Sequence, residues 1–290
     1  MSSAFIRKFS DDLAGASPAT IGGKAFSLVN LYQKNYPVPN GFIISTQAFD
    51  FFLQTLSGRN TNDSLSQAHK EITPFAINSA GIQQEIVGGD MPPQLAEIIQ
   101  DSLKALDAVR VAVRSSATVE DGERCSYAGQ FESFLGVSRQ DILLKVKRCW
   151  SSLFGRRAVI YSGNTYNIGK MAVIVQEMVE ADISGVCFSV NPVNHDINTV
   201  IVELVQGLGD TLVQGAVTPS RYMVSKNDLI IREKQVAKID DISDTILKEI
   251  VHVVIKIEDF YNKPVDMEFA VKDGLLYILQ ARPITALRAV

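Results

Sequence analysis

The C-terminal stretch VDMEFAVKDGLLYILQARPI, residues 265–284, constrains the fold more than any other part of the sequence. Two runs of alternating side chains flank an Asp-Gly dipeptide, which is the pattern of an antiparallel β-hairpin. Side chains alternate between the two faces of a strand, so Asp266 and Glu268 share one face of the first strand. By the same rule, Gln280 and Arg282 share one face of the second strand. The hairpin therefore carries two polar pairs, and the register of the strands decides whether the pairs meet.

The turn sets that register. A two-residue turn at Asp273-Gly274 would place the two pairs on opposite faces, whereas a three-residue loop over residues 272–274, with a left-handed glycine, would place all four side chains on one face. We predict the three-residue loop. The shared face would then hold carboxylate and amide oxygens, which Mg²⁺ prefers, beside a guanidinium suited to phosphate. This predicts a magnesium-triphosphate site; a solvent-facing polar edge with a chance ion pair is the alternative.

Strand-like runs extend through the second half of the chain from residue 171 onward. The runs MAVIVQEMV, SGVCFSV, TVIVELV and YMVSKNDLIIREKQV are separated by Gly, Pro and Asn. One helical pattern, ISDTILKEIVHVVIKIEDFY, interrupts them. The first half predicts helices with short strands, among them the buried run VRVAVRSS. The sequence therefore predicts an α+β fold with an N-terminal lobe at residues 1–170 and a C-terminal lobe at residues 171–290.

Charge and composition exclude several classes of partner. The 290 residues carry a formal net charge of −4 with a pI near 5.5, so no basic stripe is expected and nucleic acid is not predicted as a partner. The sequence has no signal core and no apolar run of about 18 residues, which predicts a cytoplasmic protein without membrane contact. Cys125, Cys149 and Cys187 lack metal-ligand spacing and are interpreted as structural thiols in a reducing compartment.

A polar segment, residues 115–133, follows a buried strand that ends near Arg114. Loops rich in Gly, Ser and Thr bring backbone N–H groups to phosphate oxygens, so the segment is interpreted either as a phosphate lid or as a plain surface loop. Arg114 is accordingly a phosphate ligand or a structural ion-pair partner. Lys24 is predicted in the first turn of a helix, where a phosphate would meet free N–H groups, although exposed lysines are common there.

Other motifs are less informative. Neither GASPATIGGKA nor GLGDTLVQG has the glycine spacing of the Walker or dinucleotide-binding motifs. The run VQEMV, residues 175–179, either presents backbone groups to adenine or is an ordinary core strand. His69, His195 and His252 have no nucleophile or metal-ligand pattern nearby, so none is predicted to take part in catalysis.

Seven sequence blocks occur in an order that points to one family. They are GGKAFSL, VPNGFIIST, VRSSATVEDGERCSYAGQFESFLGV, VQEMV, SGVCFSVNPV, GLGDTLVQGAVTPSRY and MEFAVKDGLLYILQARPIT. Together, over about residues 20–286, they resemble the ATP-binding domain of the phosphoenolpyruvate synthase, pyruvate phosphate dikinase and rifampicin phosphotransferase family. The resemblance implies an ATP-grasp-type fold, in which two lobes with mixed or antiparallel sheets close on ATP and Mg²⁺.

The resemblance also implies roles for individual residues of this sequence. It implies that Lys24, Arg114 and Arg282 contact the phosphates and take part in catalysis. The lid includes Gly129 and Ser133. The adenine lies at Gln176, Glu177, Met178 and Val179. Magnesium is coordinated by Glu268 and Gln280, and Asp266 supports the metal shell.

Two positions depart from the family pattern, because Asp210 stands where the family usually has Glu and Ser133 where it often has Thr. Family members continue into a swivelling domain whose histidine receives the phosphoryl group, whereas this sequence stops at Val290. We therefore expect a partner chain or a missing domain to supply that histidine. The predicted activity transfers the β,γ-phosphates of ATP to the histidine, releases AMP and finally phosphorylates a small-molecule acceptor.

Two other functions are compatible with these residues. One is a non-catalytic ATP-binding regulatory module, which the missing histidine domain favours. The other is an ATP-grasp ligase that forms an acyl phosphate, although the seven blocks match the dikinase group in particular.

Overall fold

The computed structural model describes residues 2–57, 72–119, 131–155, 169–209, 217–237 and 242–284, together with Leu212 and Gly215. The helices are α1 (Ser2–Phe5), α2 (Pro18–Ile21), α3 (Gly23–Gln33), α4 (Thr46–Ser57), α5 (Ile72–Gly88), α6 (Pro93–Leu106), α7 (Ile142–Ser152) and α8 (Asp244–Tyr261). The strands are β1 (Ile6–Lys8), β2 (Gly41–Ile44), β3 (Val111–Ala117), β4 (Ser133–Val137), β5 (Met171–Glu177), β6 (Ile183–Phe188), β7 (Thr199–Gln206), β8 (Ser220–Ser225), β9 (Ile231–Gln235), β10 (Val265–Lys272) and β11 (Leu275–Pro283).

The chain forms two units. The first comprises Met1–Gln33 and Asn40–Met178, and the second comprises Lys34–Pro39 and Val179–Val290. Each unit contains one antiparallel sheet accompanied by helices, so the predicted α+β fold class is confirmed. None of the helices in the described ranges combines the length and apolar character that a membrane span requires.

The first unit is built on a five-stranded sheet in the order β1-β2-β5-β3-β4. Helix α7 contributes to its core through Ile142, Val146 and Trp150, which recur at helical spacing and are fully buried. The Trp150 ring lies 5.0 Å from the Phe52 ring and 5.8 Å from the Phe49 ring, measured between centroids. Large aromatic side chains bury the most apolar area per residue, so this cluster stabilises the packing of helices on the sheet.

The second unit is built on a six-stranded sheet in the order β11-β10-β6-β7-β8-β9. Helix α8 packs on it through a buried stripe whose members are Leu247, Ile250, Val251, Val254 and Ile257. The side chain of Ser243 caps the helix by accepting a hydrogen bond from the Ile246 amide, and Asn262 ends it in the left-handed conformation. The helix predicted from the apolar period is therefore confirmed.

The β10–β11 hairpin has a different turn from the one predicted. Lys272 is paired with Leu275, so the turn contains only Asp273 and Gly274, both with positive φ, as a two-residue hairpin turn requires. The prediction of a three-residue loop is wrong, because Lys272 still belongs to the strand. Farther along, Phe269 lies opposite Ile278.

A β-bulge restores the shared face despite the shorter turn. Glu268 lies opposite Gln280 and Asp266 opposite Arg282, which leaves Leu279 as the extra residue between Ile278 and Gln280. Directly opposed residues point to the same side of an antiparallel pair, so the four polar side chains share one face as predicted.

Gly22 fits the junction of α2 and α3 against β3. Its backbone, with φ 77° and ψ 158°, lies in a region that only glycine adopts readily, and an added Cβ would stand 2.2 Å from the Ser116 carbonyl oxygen. The Ser116 hydroxyl donates to the Ile21 carbonyl at 2.9 Å and accepts from the Ala25 amide at 3.0 Å. The turn that begins α3 is therefore fixed to β3 at this serine.

The substitution Gly22→Ala should lower the free energy of unfolding by about 3 kcal/mol or more, since it combines a strained backbone with a main-chain clash. Gly15→Ala is the matched control, because Gly15 also has positive φ, 76°, but nothing lies within 4 Å of an added Cβ. That change should cost about 1 to 2 kcal/mol. Urea unfolding measures both losses. Equal losses would show that the close fit of Gly22 against Ser116 contributes nothing.

Candidate functional site

Three residues predicted to bind nucleotide lie on one face of the first sheet. Arg114 is opposite Ser133 on β4 and opposite Ile174 on β5. Gln176 lies two residues beyond Ile174, so its side chain is on the Arg114 face. Arg114 and Gln176 are 9% and 1% exposed, whereas Ser133 at the edge strand is exposed. Arg114 and Gln176 are therefore nearly buried polar side chains on one face of the first sheet.

Lys24 starts its helix on that same face. Ser116 is two residues from Arg114 along β3, so both side chains point to the same side of the sheet. The hydroxyl of Ser116 holds the Ala25 amide, which directly follows Lys24. The prediction that Lys24 lies in the first turn of a helix is confirmed by the start of α3 at Gly23. Lys24 is thereby tied, through Ser116, to the strand that carries Arg114.

The segment predicted to meet adenine has two of its amides already bonded. The Glu177 amide donates to the Asn40 carbonyl at 2.9 Å, and the Met178 amide donates to the Arg110 carbonyl at 3.2 Å. The Val179 carbonyl accepts from the Ala181 amide at 2.9 Å. Among the backbone hydrogen bonds of the described residues, none uses the Val179 amide. In this segment, Val179 is therefore the residue whose N–H suits a base acceptor.

The second unit carries an ion pair at the hairpin. Arg282 Nε donates to Asp266 Oδ1 at 3.0 Å and Oδ2 at 3.1 Å, and Arg282 Nη2 donates to Oδ2 at 3.0 Å. Burial raises the pKa of Asp266, the Arg282 guanidinium acts in the opposite direction, and the nearby Glu268 charge adds to the rise. Both Asp266 oxygens accept from Arg282, so in this arrangement Asp266 orients the guanidinium.

Glu268 and Gln280 supply a carboxylate and an amide oxygen directly across the two strands. Gln280 is 6% exposed, and Glu268 is half-buried. Within the described ranges, no group of three or more His, Cys, Asp or Glu residues could hold a metal. Magnesium is commonly bound through one or two carboxylates plus substrate phosphates, so this sparse oxygen set fits Mg²⁺ delivered with a polyphosphate.

Sequence reasoning missed two charged residues on the hairpin face. Glu268 is opposite Val186, Val186 is opposite Glu203, and Glu203 is opposite Arg221. All four side chains therefore point to the same side of the second sheet. Arg221 Nε lies 3.6 Å from Glu203 Oε1. The available signal was a glutamate inside the otherwise apolar run TVIVELV, since charged residues are rare in buried strands unless paired.

Several predicted positions fall outside the site or outside the described residues. Gly129, Asp210, Cys125 and His69 lie outside the described ranges. His195 is exposed on a turn, and His252 is exposed on α8.

The two described cysteines are buried. Burial raises the pKa of the Cys149 thiol to about 12 and also raises the pKa of the Cys187 thiol, so both thiols stay protonated at neutral pH, as structural cysteines do.

Comparison with known proteins covers nearly the whole chain. Residues 18–241 and 231–289 match the family described as pyruvate phosphate dikinase, AMP/ATP-binding domain. A probable phosphoenolpyruvate synthase of Methanocaldococcus jannaschii is 33% identical over 96% of this chain and 26% of that protein. The phosphoenolpyruvate synthase of Pyrococcus furiosus is 32% identical over 98% of this chain and 44% of that protein. The uncharacterized phosphotransferase YvkC of Bacillus subtilis is 32% identical over 94% of this chain and 34% of that protein.

The chain spans less than half the length of these relatives. The match to the family nevertheless extends over both units and includes every candidate site residue in the described ranges. The chain therefore belongs to the pyruvate phosphate dikinase AMP/ATP-binding domain family.

Proposed function

We propose that this chain binds Mg·ATP and is the nucleotide-binding part of a dikinase-type phosphotransferase. One observation carries the proposal: within a chain that belongs to this family, Glu268 and Gln280 oppose each other on the face that also carries Arg282. Hard oxygen donors beside a guanidinium are the groups that magnesium and polyphosphate require. The names of the relatives, phosphoenolpyruvate synthase and phosphotransferase, support the same class of reaction.

Each candidate residue then has a defined task. Positive charge toward the phosphates comes from Lys24, Arg114 and Arg282. Glu268 and Gln280 hold magnesium, which when bound neutralises phosphate charge, and Asp266 keeps the Arg282 guanidinium in one orientation. The adenine is placed at Gln176, Glu177, Met178 and Val179, with the Val179 amide as the donor. Ser133 belongs to the phosphate lid that the family resemblance implies.

The reaction we propose breaks the bond between the β-phosphorus of ATP and the oxygen that bridges it to the α-phosphorus, so this oxygen leaves with AMP. A histidine nitrogen on a phosphohistidine domain or partner protein attacks the β-phosphorus, AMP departs with the electron pair, and the histidine carries the β,γ-phosphates. A small-molecule acceptor receives phosphate in a later step. The side chains of this chain contribute position and positive charge rather than covalent chemistry, as phosphoryl transfer generally requires.

Binding measurements test the site. Glu268→Gln should weaken Mg·ATP binding by about tenfold or more, because a metal ligand loses its charge while the side-chain shape is kept. Glu249→Gln, at an exposed position of α8, removes the same charge and should leave the affinity unchanged. Arg114→Ala should match the loss at Glu268, and Lys24→Ala should show a smaller loss. Isothermal titration calorimetry gives all four affinities; equal affinities for the wild-type chain, Glu268→Gln and Arg114→Ala would contradict the assignment.

Product analysis tests the reaction class. ATP labelled at the β-phosphate, incubated with the chain and its histidine-bearing partner, should transfer label to the partner and release AMP. Label transfer that fails while Mg·ATP still binds would favour a non-catalytic binding module. ADP release that depends on a carboxylate substrate would instead favour a ligase that forms an acyl phosphate.

A further inference from the structure

Glu203 and Arg221 form a second carboxylate-guanidinium pair on the hairpin face. Val186 separates Glu203 from Glu268 in the cross-strand row, so their Cα atoms are about 10 Å apart, given strand spacings near 4.8 Å. Arg221 follows on the next strand. Asp266 lies two residues from Glu268 along β10, and its partner Arg282 is on the edge strand β11, in the neighbouring cross-strand row. The face that carries Glu268 therefore holds two carboxylate-guanidinium pairs.

The two pairs differ in how well the arginine is bonded. Arg282 makes three hydrogen bonds of 3.0 to 3.1 Å to Asp266. Arg221 Nε stands 3.6 Å from Glu203 Oε1, which is too long for a hydrogen bond. The same Nε is shielded from solvent and has no hydrogen-bond partner in the described part of the chain. Buried donors are nearly always satisfied, so this Nε is a donor to which an acceptor from outside the described residues can bind.

The Arg221 guanidinium suits a particular kind of acceptor. It lies on the same face as Glu268, three strands away in the cross-strand row. A guanidinium suits an anionic oxygen, and polyphosphates supply several such oxygens in a row. Arginine is also suited to phosphate because its planar group offers several donors at fixed angles. Glu203 lies between Arg221 and Val186 in this row. The Arg221 side chain is one-third exposed, so a ligand on this face would be able to reach it.

We propose that Arg221 is a further phosphate-binding residue for the nucleotide, contacting the polyphosphate on the side of Glu268 away from Arg282, and that Glu203 is its positioning residue. This inference rests on the proposed binding of Mg·ATP at Glu268 and Gln280. It adds a polyphosphate contact on strand β8, which none of the predicted site residues occupies.

Calorimetry with two nucleotides tests the inference. Arg221→Ala should weaken Mg·ATP binding by about tenfold or more, the value of a charge-assisted hydrogen bond, while binding of AMP changes less than about threefold. Arg232→Ala is the matched control, because Arg232 on β9 pairs with Asp228 at an exposed position and should leave both affinities unchanged. Arg221→Ala with wild-type Mg·ATP affinity would overturn the inference.

A conservative variant keeps the test decisive if Arg221→Ala does not fold. Arg221→Lys retains the charge but loses the Nε donor, so Mg·ATP affinity should fall at least about threefold with AMP affinity unchanged. Unchanged Mg·ATP affinity in a folded Arg221→Lys variant would also overturn the inference. Failure of the wild-type chain to bind Mg·ATP would count against the proposed function itself, whereas wild-type binding with insensitive Arg221 variants would defeat only this inference.

Discussion

The pairing of β10 with β11 around the bulge at Leu279 is the constraint on which the candidate site depends. Side chains alternate along a strand, so a two-residue turn followed by a regular ladder would place Leu279 opposite Glu268 and send Gln280 to the other face. One extra residue reverses that outcome. It aligns the carboxylate with the amide and, two residues farther, Asp266 with Arg282. Bulges often occur beside active sites because they redirect side chains in this way.

The charged pairs on this face are better explained by binding than by stability. Burial raises the pKa of Asp266 even with the Arg282 guanidinium in contact, because desolvation opposes the charged carboxylate. Buried ion pairs rarely improve on well-packed apolar residues, since desolvation offsets their attraction. Burying the Arg221 Nε, which has no hydrogen-bond partner among the described residues, adds a further desolvation cost. A polyphosphate ligand would supply an acceptor for the Arg221 Nε, in keeping with the proposed phosphate contact.

Sequence reasoning succeeded where one periodicity dominates. The apolar stripe of α8, the start of α3 before Lys24 and the buried strand β3 all follow from spacing. The turn at Asp273-Gly274 was predicted wrongly because the same sequence is compatible with a two-residue and a three-residue loop, and a β-bulge has no distinctive composition. Glu203 was missed because β7 is apolar on both faces, which hides the period of two. The roles of the site residues stay predictions, because they concern a nucleotide, a magnesium ion and a histidine that are not part of this fold.

A crystal structure with Mg²⁺ and a non-hydrolysable ATP analogue tests the central claim most directly. The account predicts magnesium at about 2.1 Å from a carboxylate oxygen of Glu268 and from the amide oxygen of Gln280, with phosphate oxygens at the Arg282 guanidinium. A nucleotide bound away from the hairpin face, or a metal held without these two residues, would contradict it.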